Sequence, residues 1–298
     1  MLTHIHIYEL IFNKYKWIKN IMKIIITLAI FKVGFSLIQT PWKSVSNAII
    51  KEATTQFPNL VNLDVSSDLL NLTANTVKGP VYANSIILGN NEAVARLRVT
   101  NIDAGPAGQV LNSILIPNPE LRGCPLLGID CTFLGGKRIF WGADYFPLCQ
   151  DDSYAKRWLG RLAKHKEKAK LILTPPGPSP YPIDEVTGRA EFFSSHQLFC
   201  RPQVIDDSER SAALIVANEV LVPLIKDYME MLKYELIRSR KPRFSRMGEL
   251  SPEMAAQRSR EYIAWNRAHD PATGLLKTWF SENKSEKFAD KVLFTMPF

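Results

Sequence analysis

The sequence predicts an α+β fold with a largely antiparallel central sheet, and three observations support this. Four strand-like segments follow one another between residues 95 and 146, with only turn residues between them. The period changes to that of helices in the last third of the chain, from about residue 207. Strands first and helices afterwards, without a glycine motif for dinucleotides or phosphates, indicate α+β rather than parallel α/β.

The four strand segments are rich in β-branched, aromatic and aliphatic residues. They are 95-ARLRVTNI-102, 109-QVLNSILIP-117, 126-LLGIDCTFL-134 and 137-KRIFWGADYF-146. The Gly-Gly pair at 135–136 predicts a two-residue hairpin that pairs Leu134 with Lys137. With this register Asp130 lies opposite Trp141, and the period of two places on one face Asp130, Thr132, Ile139 and Trp141.

The rest of the chain contributes mainly helices. In order, the pattern predicts a helix at about 151–168, an exposed proline-rich loop at 174–182, a strand at 191–201, a helix at 207–235, a helix from Ser251 to about His269 and a last helix at 284–294. Pro223 should kink the long helix, because proline removes a helical hydrogen bond. Ser251 followed by Pro252 is typical of a helix start, and Asp270 before a proline indicates another.

The formal net charge of +8 is concentrated at the N-terminus. Residues 1–51 carry seven lysines against Glu9 alone, whereas the other 247 residues carry 30 basic and 28 acidic side chains. A nearly neutral body gives no support for a nucleic-acid partner. The apolar stretch within 21–39 is interrupted by Lys32 and is too short to span a membrane, so it favours a targeting segment over an extension without a targeting role.

We therefore expect two parts, a targeting-like leader over residues 1–50 and a single folded domain over 51–298. The leader predicts import into a plastid if it is a presequence, and otherwise a cytoplasmic protein in a cyanobacterium-like host. The four cysteines form no CxxC pair and no His residue stands at ligand spacing beside them. No metal site is predicted, and we expect buried free thiols.

Asp130 is the residue that local structure explains least, because aspartate is depleted in strands and this one caps no helix. Two interpretations remain open from the local pattern. The carboxylate either faces solvent or pairs with an arginine, or it lies in an apolar cleft where burial raises its pKa so that it can hold a proton. Asp270 alone indicates a structural helix cap, and Asn112 indicates a buried amide that hydrogen-bonds a loop.

Taken together, several motifs resemble those of the ferredoxin-dependent bilin reductases. They are 98-RVTNIDAGPAGQVLNS-113, the GID that contains Asp130, DYFPLCQDDSY at 144–154, 192-FFSSHQLFCR-201, 269-HDPATGLLKTWF-280 and VLF at 292–294. The resemblance implies a three-layer α/β/α sandwich around a central antiparallel sheet, with an open-chain tetrapyrrole between the sheet and the C-terminal helices. It also implies an enzyme that binds no flavin or metal and receives single electrons from reduced ferredoxin.

The resemblance assigns the catalytic roles to two acids, Asp130 on the sheet side of the bilin and Asp270 on the helix side. Residues expected to bind substrate are Asn112, Thr132, Trp141, Ser195, Phe199, and, as partners of the propionates, Arg201 and Lys277. Members that form phycocyanobilin use a Glu and a His where this chain has Thr100 and Asn112. These departures argue against the phycocyanobilin branch, and the motifs look most similar to the branch that reduces biliverdin IXα at the 15,16 methine bridge to 15,16-dihydrobiliverdin.

Two alternatives remain open. The chain either reduces 15,16-dihydrobiliverdin, or biliverdin in two steps, to phycoerythrobilin, or it is a bilin-binding protein without activity. Beside biliverdin and ferredoxin, the resemblance suggests a second bilin reductase that receives the product, and we expect a monomer.

Overall fold

The computed structural model describes residues 41–136, 138–172, 179–180, 190–201, 206–240, 247–270 and 272–298. Nine strands form one sheet: β1 Val61–Asn62, β2 Asn71–Thr76, β3 Gly79–Gly89, β4 Val94–Asp103, β5 Gly108–Pro117, β6 Leu126–Leu134, β7 Arg138–Phe146, β8 Ser179–Pro180 and β9 Leu198–Arg201. The order is β1-β3-β4-β5-β6-β7-β9-β8, with β2 also paired to β3. Every pairing is antiparallel, which confirms the predicted α+β fold.

Seven helices are described. They are α1 Lys43–Gln56, α2 Ser67–Leu70, α3 (Asp152–Tyr154, a π-helical turn Ala155–Leu159 and Gly160–Ile172), α4 Asp207–Ser239, α5 Pro252–His269, α6 Ala272–Trp279 and α7 Glu282–Phe288, which continues into a π-helical turn Ala289–Leu293. The predicted helix start at Ser251 is confirmed, because its hydroxyl accepts a hydrogen bond from the Met254 amide at 3.2 Å. The predicted strand over 191–201 is wrong in its first part, where Ala190–Phe192 is a 3₁₀ turn and only Leu198–Arg201 is extended.

The predicted register of the β6–β7 hairpin is wrong by one residue. Leu134 pairs with Arg138, so three residues rather than two connect the strands, and Gly135 and Gly136 both have positive φ. Asp130 consequently pairs with Gly142, and Trp141 pairs with Cys131. Because side chains alternate along a strand, this shift moves Trp141 to the opposite face of the sheet from Asp130.

Helices cover both faces of the sheet and give the predicted three layers. We name the side where Tyr145 contacts Tyr228 of α4 the α4 face, and their ring centroids lie 5.0 Å apart. We name the other side the α5 face, where Phe146 stacks on Tyr262 of α5 with centroids 4.4 Å apart. Helix α1 covers the α4 face together with α4, because the amide of Asn101 on β4 donates to the Ser46 hydroxyl of α1 at 3.0 Å. Helices α6 and α7 cover the α5 face together with α5.

Helix α1 runs across the boundary that the sequence predicted between residues 50 and 51. Val45 and Ile49 are fully buried, so the folded body includes residues before 51. The leader segment 21–39 lies outside the described residues, as does most of the proline-rich loop 174–182. Within the described part of the chain, no helix has both the length and the apolar character needed to cross a membrane.

Candidate active site

A row of polar side chains crosses the α5 face of the sheet. The strand registers align in one row Ser85, Thr100, Asn112, Asp130, Gly142 and Phe199, one residue from each of β3, β4, β5, β6, β7 and β9. Ser85 and Thr100 are buried and share a hydrogen bond of 2.9 Å between their hydroxyl oxygens. Asn112 and Asp130 are only partly buried, so the row opens towards the helices where these two residues stand.

A chain of hydrogen bonds connects this row to a buried arginine. Arg98 donates from Nη1 to the Thr100 hydroxyl at 3.1 Å and to the Asn112 backbone carbonyl at 3.0 Å. Its Nη2 donates to the Asn112 side-chain oxygen, and the Asn112 amide nitrogen in turn donates to a carboxylate oxygen of Asp130. Asn112 therefore bonds an arginine and an acid, rather than the loop that the sequence suggested.

Asp270 lies at the junction of α5 and α6 and has two roles. Its carboxylate accepts the Ala272 backbone N–H at 2.7 Å and so caps α6, as the sequence predicted. Its own N–H donates to the Asn266 carbonyl at 2.8 Å and closes the last turn of α5. The charge of the same carboxylate also raises the pKa of Asp130 on strand β6.

The electrostatics of this pair favour a proton held near neutral pH. Burial raises the pKa of Asp130 to about 7, the charge of Asp270 adds to the rise, and the Asn112 hydrogen bond and the Arg98 charge oppose it. Burial also raises the pKa of Asp270, while the Ala272 N–H and Arg98 lower it. Two carboxyl groups that repel each other in a partly desolvated site are suited to general acid chemistry.

An aromatic wall flanks the two acids. Phe199 lies directly over Gly142, where an added Cβ would come within 2.0 Å of the ring, so glycine leaves room for this packing. Phe199 also contacts Phe140 and Phe193, with centroids 5.8 Å and 6.1 Å apart. The wall continues into α5, since Phe193 meets Trp265 at 5.7 Å. An apolar, aromatic surface beside a few polar groups is the usual character of a site for a conjugated ligand.

Sequence reasoning missed a second buried acid on the same face. Asp144 is completely buried, and it accepts hydrogen bonds from the Ser194 hydroxyl and from the Ser194 N–H, the latter at 2.9 Å. Burial raises the pKa of Asp144 to about 7 against these two bonds. Asp144 and Ser194 belong to the DYF and FSS motifs of the sequence, but only the fold shows that these two residues are in contact.

The other predicted substrate-binding residues separate into two groups. Thr132 is partly buried beside Asp130 on the α5 face, and Phe199 forms part of the aromatic wall. Trp141 does not join them, because it is completely buried on the α4 face. Arg201 is exposed at the end of β9, two residues beyond Phe199.

Ser195 and Lys277 make contacts with other residues. Ser195 is exposed, and its carbonyl accepts from Lys166 at 3.3 Å, whereas its neighbour Ser194 is the buried one. The Lys277 ammonium pairs with Glu282 at 2.9 Å and with Glu286 at 3.3 Å. Among the residues that the structure describes, no three His, Cys, Asp or Glu side chains form a group that could hold a metal ion.

Comparison with known proteins identifies a family. The family model described as ferredoxin-dependent bilin reductase matches residues 47–295. A relative from Prochlorococcus marinus (strain MIT 9211), named 15,16-dihydrobiliverdin:ferredoxin oxidoreductase, is 28% identical over 200 residues, which are 67% of this chain and 75% of the relative. A relative of the same name from Gloeobacter violaceus is 27% identical over 201 residues, covering 67% and 73% of the two chains.

A solved structure shares the fold. Phytochromobilin synthase from tomato, determined in complex with biliverdin, superimposes with a TM-score of 0.62 at 19% identity. The match covers 85% of this chain and 82% of the tomato protein.

Proposed function

The chain belongs to the family of ferredoxin-dependent bilin reductases, and we propose that it reduces biliverdin IXα to 15,16-dihydrobiliverdin. As a member of this family it is an oxidoreductase that takes electrons from ferredoxin. The observation that carries the proposal is the pair formed by Asp130 on β6 and Asp270 at the start of α6: burial raises the pKa of both, and the charge of Asp270 acts on Asp130. The relatives' names support the choice of the 15,16 bond.

Two acids match the stoichiometry of this reaction. Two reduced ferredoxins each give one electron, two protons are taken up, and the double bond between C15 and C16 becomes a single bond with one hydrogen added at each carbon. Each added electron makes the bilin more basic, so an acid that is still protonated near neutral pH accelerates the reduction. In this mechanism Asp130 holds the first of the two protons on the bilin, which ends as the hydrogen at C16, and Asp270 delivers or relays the second proton to the bridge carbon C15.

The row of polar residues supports one reduction rather than several. Ser85, Thr100 and Asn112 do not titrate near neutral pH, so Asp130 is the one ionisable carboxyl of the row. A Glu and a His at the Thr100 and Asn112 positions would add two proton donors on the sheet side. Their replacement by a hydroxyl and an amide fits an enzyme that stops after the methine bridge.

The remaining polar groups complete the proposed binding mode. The bilin lies against the wall formed by Phe140, Phe193 and Phe199, with Thr132 and Asn112 beside its polar edge. Arg201 stands at the exposed end of this wall and is suited to a propionate, because guanidinium binds carboxylate in a fork geometry. The Lys-rich leader supports synthesis as a precursor that enters a plastid, where ferredoxin and a second bilin reductase act on the same pathway.

The test is anaerobic turnover of biliverdin IXα with chemically or enzymatically reduced ferredoxin, followed by absorbance and product chromatography. We expect accumulation of 15,16-dihydrobiliverdin and no further change when it is supplied as substrate. Conversion to phycoerythrobilin would overturn the single reduction. Tight binding of biliverdin without any turnover would identify a binding protein instead.

A further inference from the structure

We propose that Arg98 is a positioning residue: its guanidinium orients the Asn112 amide towards Asp130 and supplies the positive charge that balances the two aspartates. The inference deepens the proposed function and rests on it for the chemical role of Asp130. Arg98 lies two residues before Thr100 on β4, beside the row, and is 3% exposed, so it acts through its neighbours.

The hydrogen bonds leave one orientation for the amide. The Asn112 side-chain oxygen accepts from Arg98, and an arginine offers only donors. The amide nitrogen therefore points at Asp130, whose carboxyl group keeps an accepting oxygen in either protonation state. A flipped amide would set its nitrogen against the donors of Arg98, and a buried mismatch of this kind is unfavourable. Arg98 thus determines which group Asn112 presents to the acid.

The charge of Arg98 acts on both acids. The charged and titratable groups that face Asp130 are Arg98 from β4, Asp270 at the start of α6 and Tyr262 from α5. Asp270 raises the pKa of Asp130, whereas Arg98 lowers it and also lowers the pKa of Asp270. Without Arg98 both acids would stay protonated to higher pH, and Asp130 would lose a fixed hydrogen-bond donor.

Arg98 has this role because of its partners and not because it is a buried arginine. Arg96 lies two residues earlier and is also buried, at 2% exposure. It donates from Nη2 to the Val292 carbonyl at 2.6 Å, which ties the sheet to the C-terminal π-helical turn. Arg96 therefore anchors the C-terminal segment, whereas Arg98 on the same strand orients the polar row.

The experiment titrates Asp130 directly in the full-length, substrate-free protein. Infrared spectra of protein labelled with ¹³C-aspartate follow the protonated carboxyl band, and Asp130→Asn identifies which band belongs to Asp130. We expect Arg98→Gln to move the titration midpoint of Asp130 upward by at least about 0.5 pH unit. Arg258→Gln removes the same charge from α5, where Arg258 pairs with Glu261, and should leave the midpoint in place.

A second variant separates orientation from charge and protects the test against misfolding. Arg98→Lys keeps the positive charge but lacks the fork that holds both Thr100 and Asn112. We expect its Asp130 midpoint to stay within about 0.3 pH unit of wild type, while turnover falls at least about tenfold with a smaller change in KM.

Two results would overturn the inference: an unmoved Asp130 midpoint in folded Arg98→Gln, or wild-type turnover in Arg98→Lys. Failure of the proposed function has a different signature. The carboxyl titration needs no bilin, so Arg98 can shift the Asp130 midpoint even if the wild-type product is not 15,16-dihydrobiliverdin.

Discussion

The two faces of strands β6 and β7 are built from alternate residues of one sequence, and they differ in kind. On the α4 face, Ile129, Cys131 and Trp141 are buried to 1% exposure or less beneath a long helix. On the α5 face, Asp130 and Thr132 remain partly exposed. One face is closed by apolar packing, and the other carries partly exposed polar groups.

Because side chains alternate along a strand, residues that stabilise the fold and residues proposed to act in the reaction lie on opposite faces of the same strands. Side chains on the α4 face contribute by removing apolar surface from water, at roughly 25 cal/mol per Å². Side chains on the α5 face carry the cost of partly desolvated charges, which hydrogen bonds or a bound ligand must offset. Substitutions on the two faces should therefore change different measurable quantities.

The largest expected effect is on the α4 face. Trp141→Ala should lower the free energy of unfolding by about 3–5 kcal/mol, because it leaves a large cavity under α4. Urea titration monitored by circular dichroism measures this loss. The turnover number of the folded fraction should stay within about threefold of wild type, since Trp141 does not face Asp130. A tenfold fall in turnover with unchanged stability would place Trp141 in the site after all.

On the side of the α5 face, Asp270→Asn should lower turnover while leaving the free energy of unfolding nearly unchanged. Asparagine caps helices as well as aspartate does, so the free energy of unfolding should change by less than about 0.5 kcal/mol. Turnover should fall about 100-fold or more, because an amide cannot deliver a proton. Steady-state assays with reduced ferredoxin measure the rate, and Ser251→Asn, which exchanges the cap of α5, is the matched control. Equal loss of stability and rate in both cap variants would mean that Asp270 is structural.

Asp144 refines the comparison, because it lies on the α5 face yet is fully buried. Burial raises its pKa to about 7, above its value in the unfolded chain, so the folded state binds the extra proton between about pH 4 and 7. Stability from this group is present at low pH and is lost as pH rises to about 7. In Asp144→Asn, the fall in the free energy of unfolding between pH 5 and pH 7.5 should be smaller by roughly 2 kcal/mol. Urea titration at the two pH values measures this difference. An unchanged pH dependence would contradict the raised pKa.

The smallest effect is expected at Lys277. Its ammonium is engaged by Glu282 and Glu286 at the surface, and such pairs contribute at most about 1 kcal/mol. Lys277→Ala should therefore leave the KM for biliverdin within about twofold and the unfolding free energy within about 0.5 kcal/mol. A tenfold rise in KM would mean that Lys277 binds a propionate. Arg201→Ala is the comparison variant, because its rise in KM measures the loss of a proposed propionate contact.

Much of this architecture could be predicted from the sequence. Strands β4 to β7 and helices α4 and α5 are long and strongly periodic, so local pattern alone located them. The helix cap at Asp270 follows from a single Asp-Pro pair. Strands β1 to β3 and helix α1 were not predicted, because their short or weakly patterned segments are stabilised by tertiary contacts.

The site required information that a single sequence does not carry. The position of Trp141 depends on whether two or three residues connect β6 to β7, and one residue of register reverses the face. The link from Arg98 through Asn112 to Asp130 spans three strands. The contact of Asp144 with Ser194 joins residues 50 positions apart, so neither motif indicated the other.

The most direct test of the central claim is the anaerobic reaction of Asp130→Asn with biliverdin and reduced ferredoxin, followed by absorbance. Asparagine preserves the size of the side chain but cannot hold the proton. We expect biliverdin to bind with a Kd within about threefold of wild type, while 15,16-dihydrobiliverdin fails to form or a coloured radical intermediate accumulates. Full wild-type turnover by this variant would contradict the account.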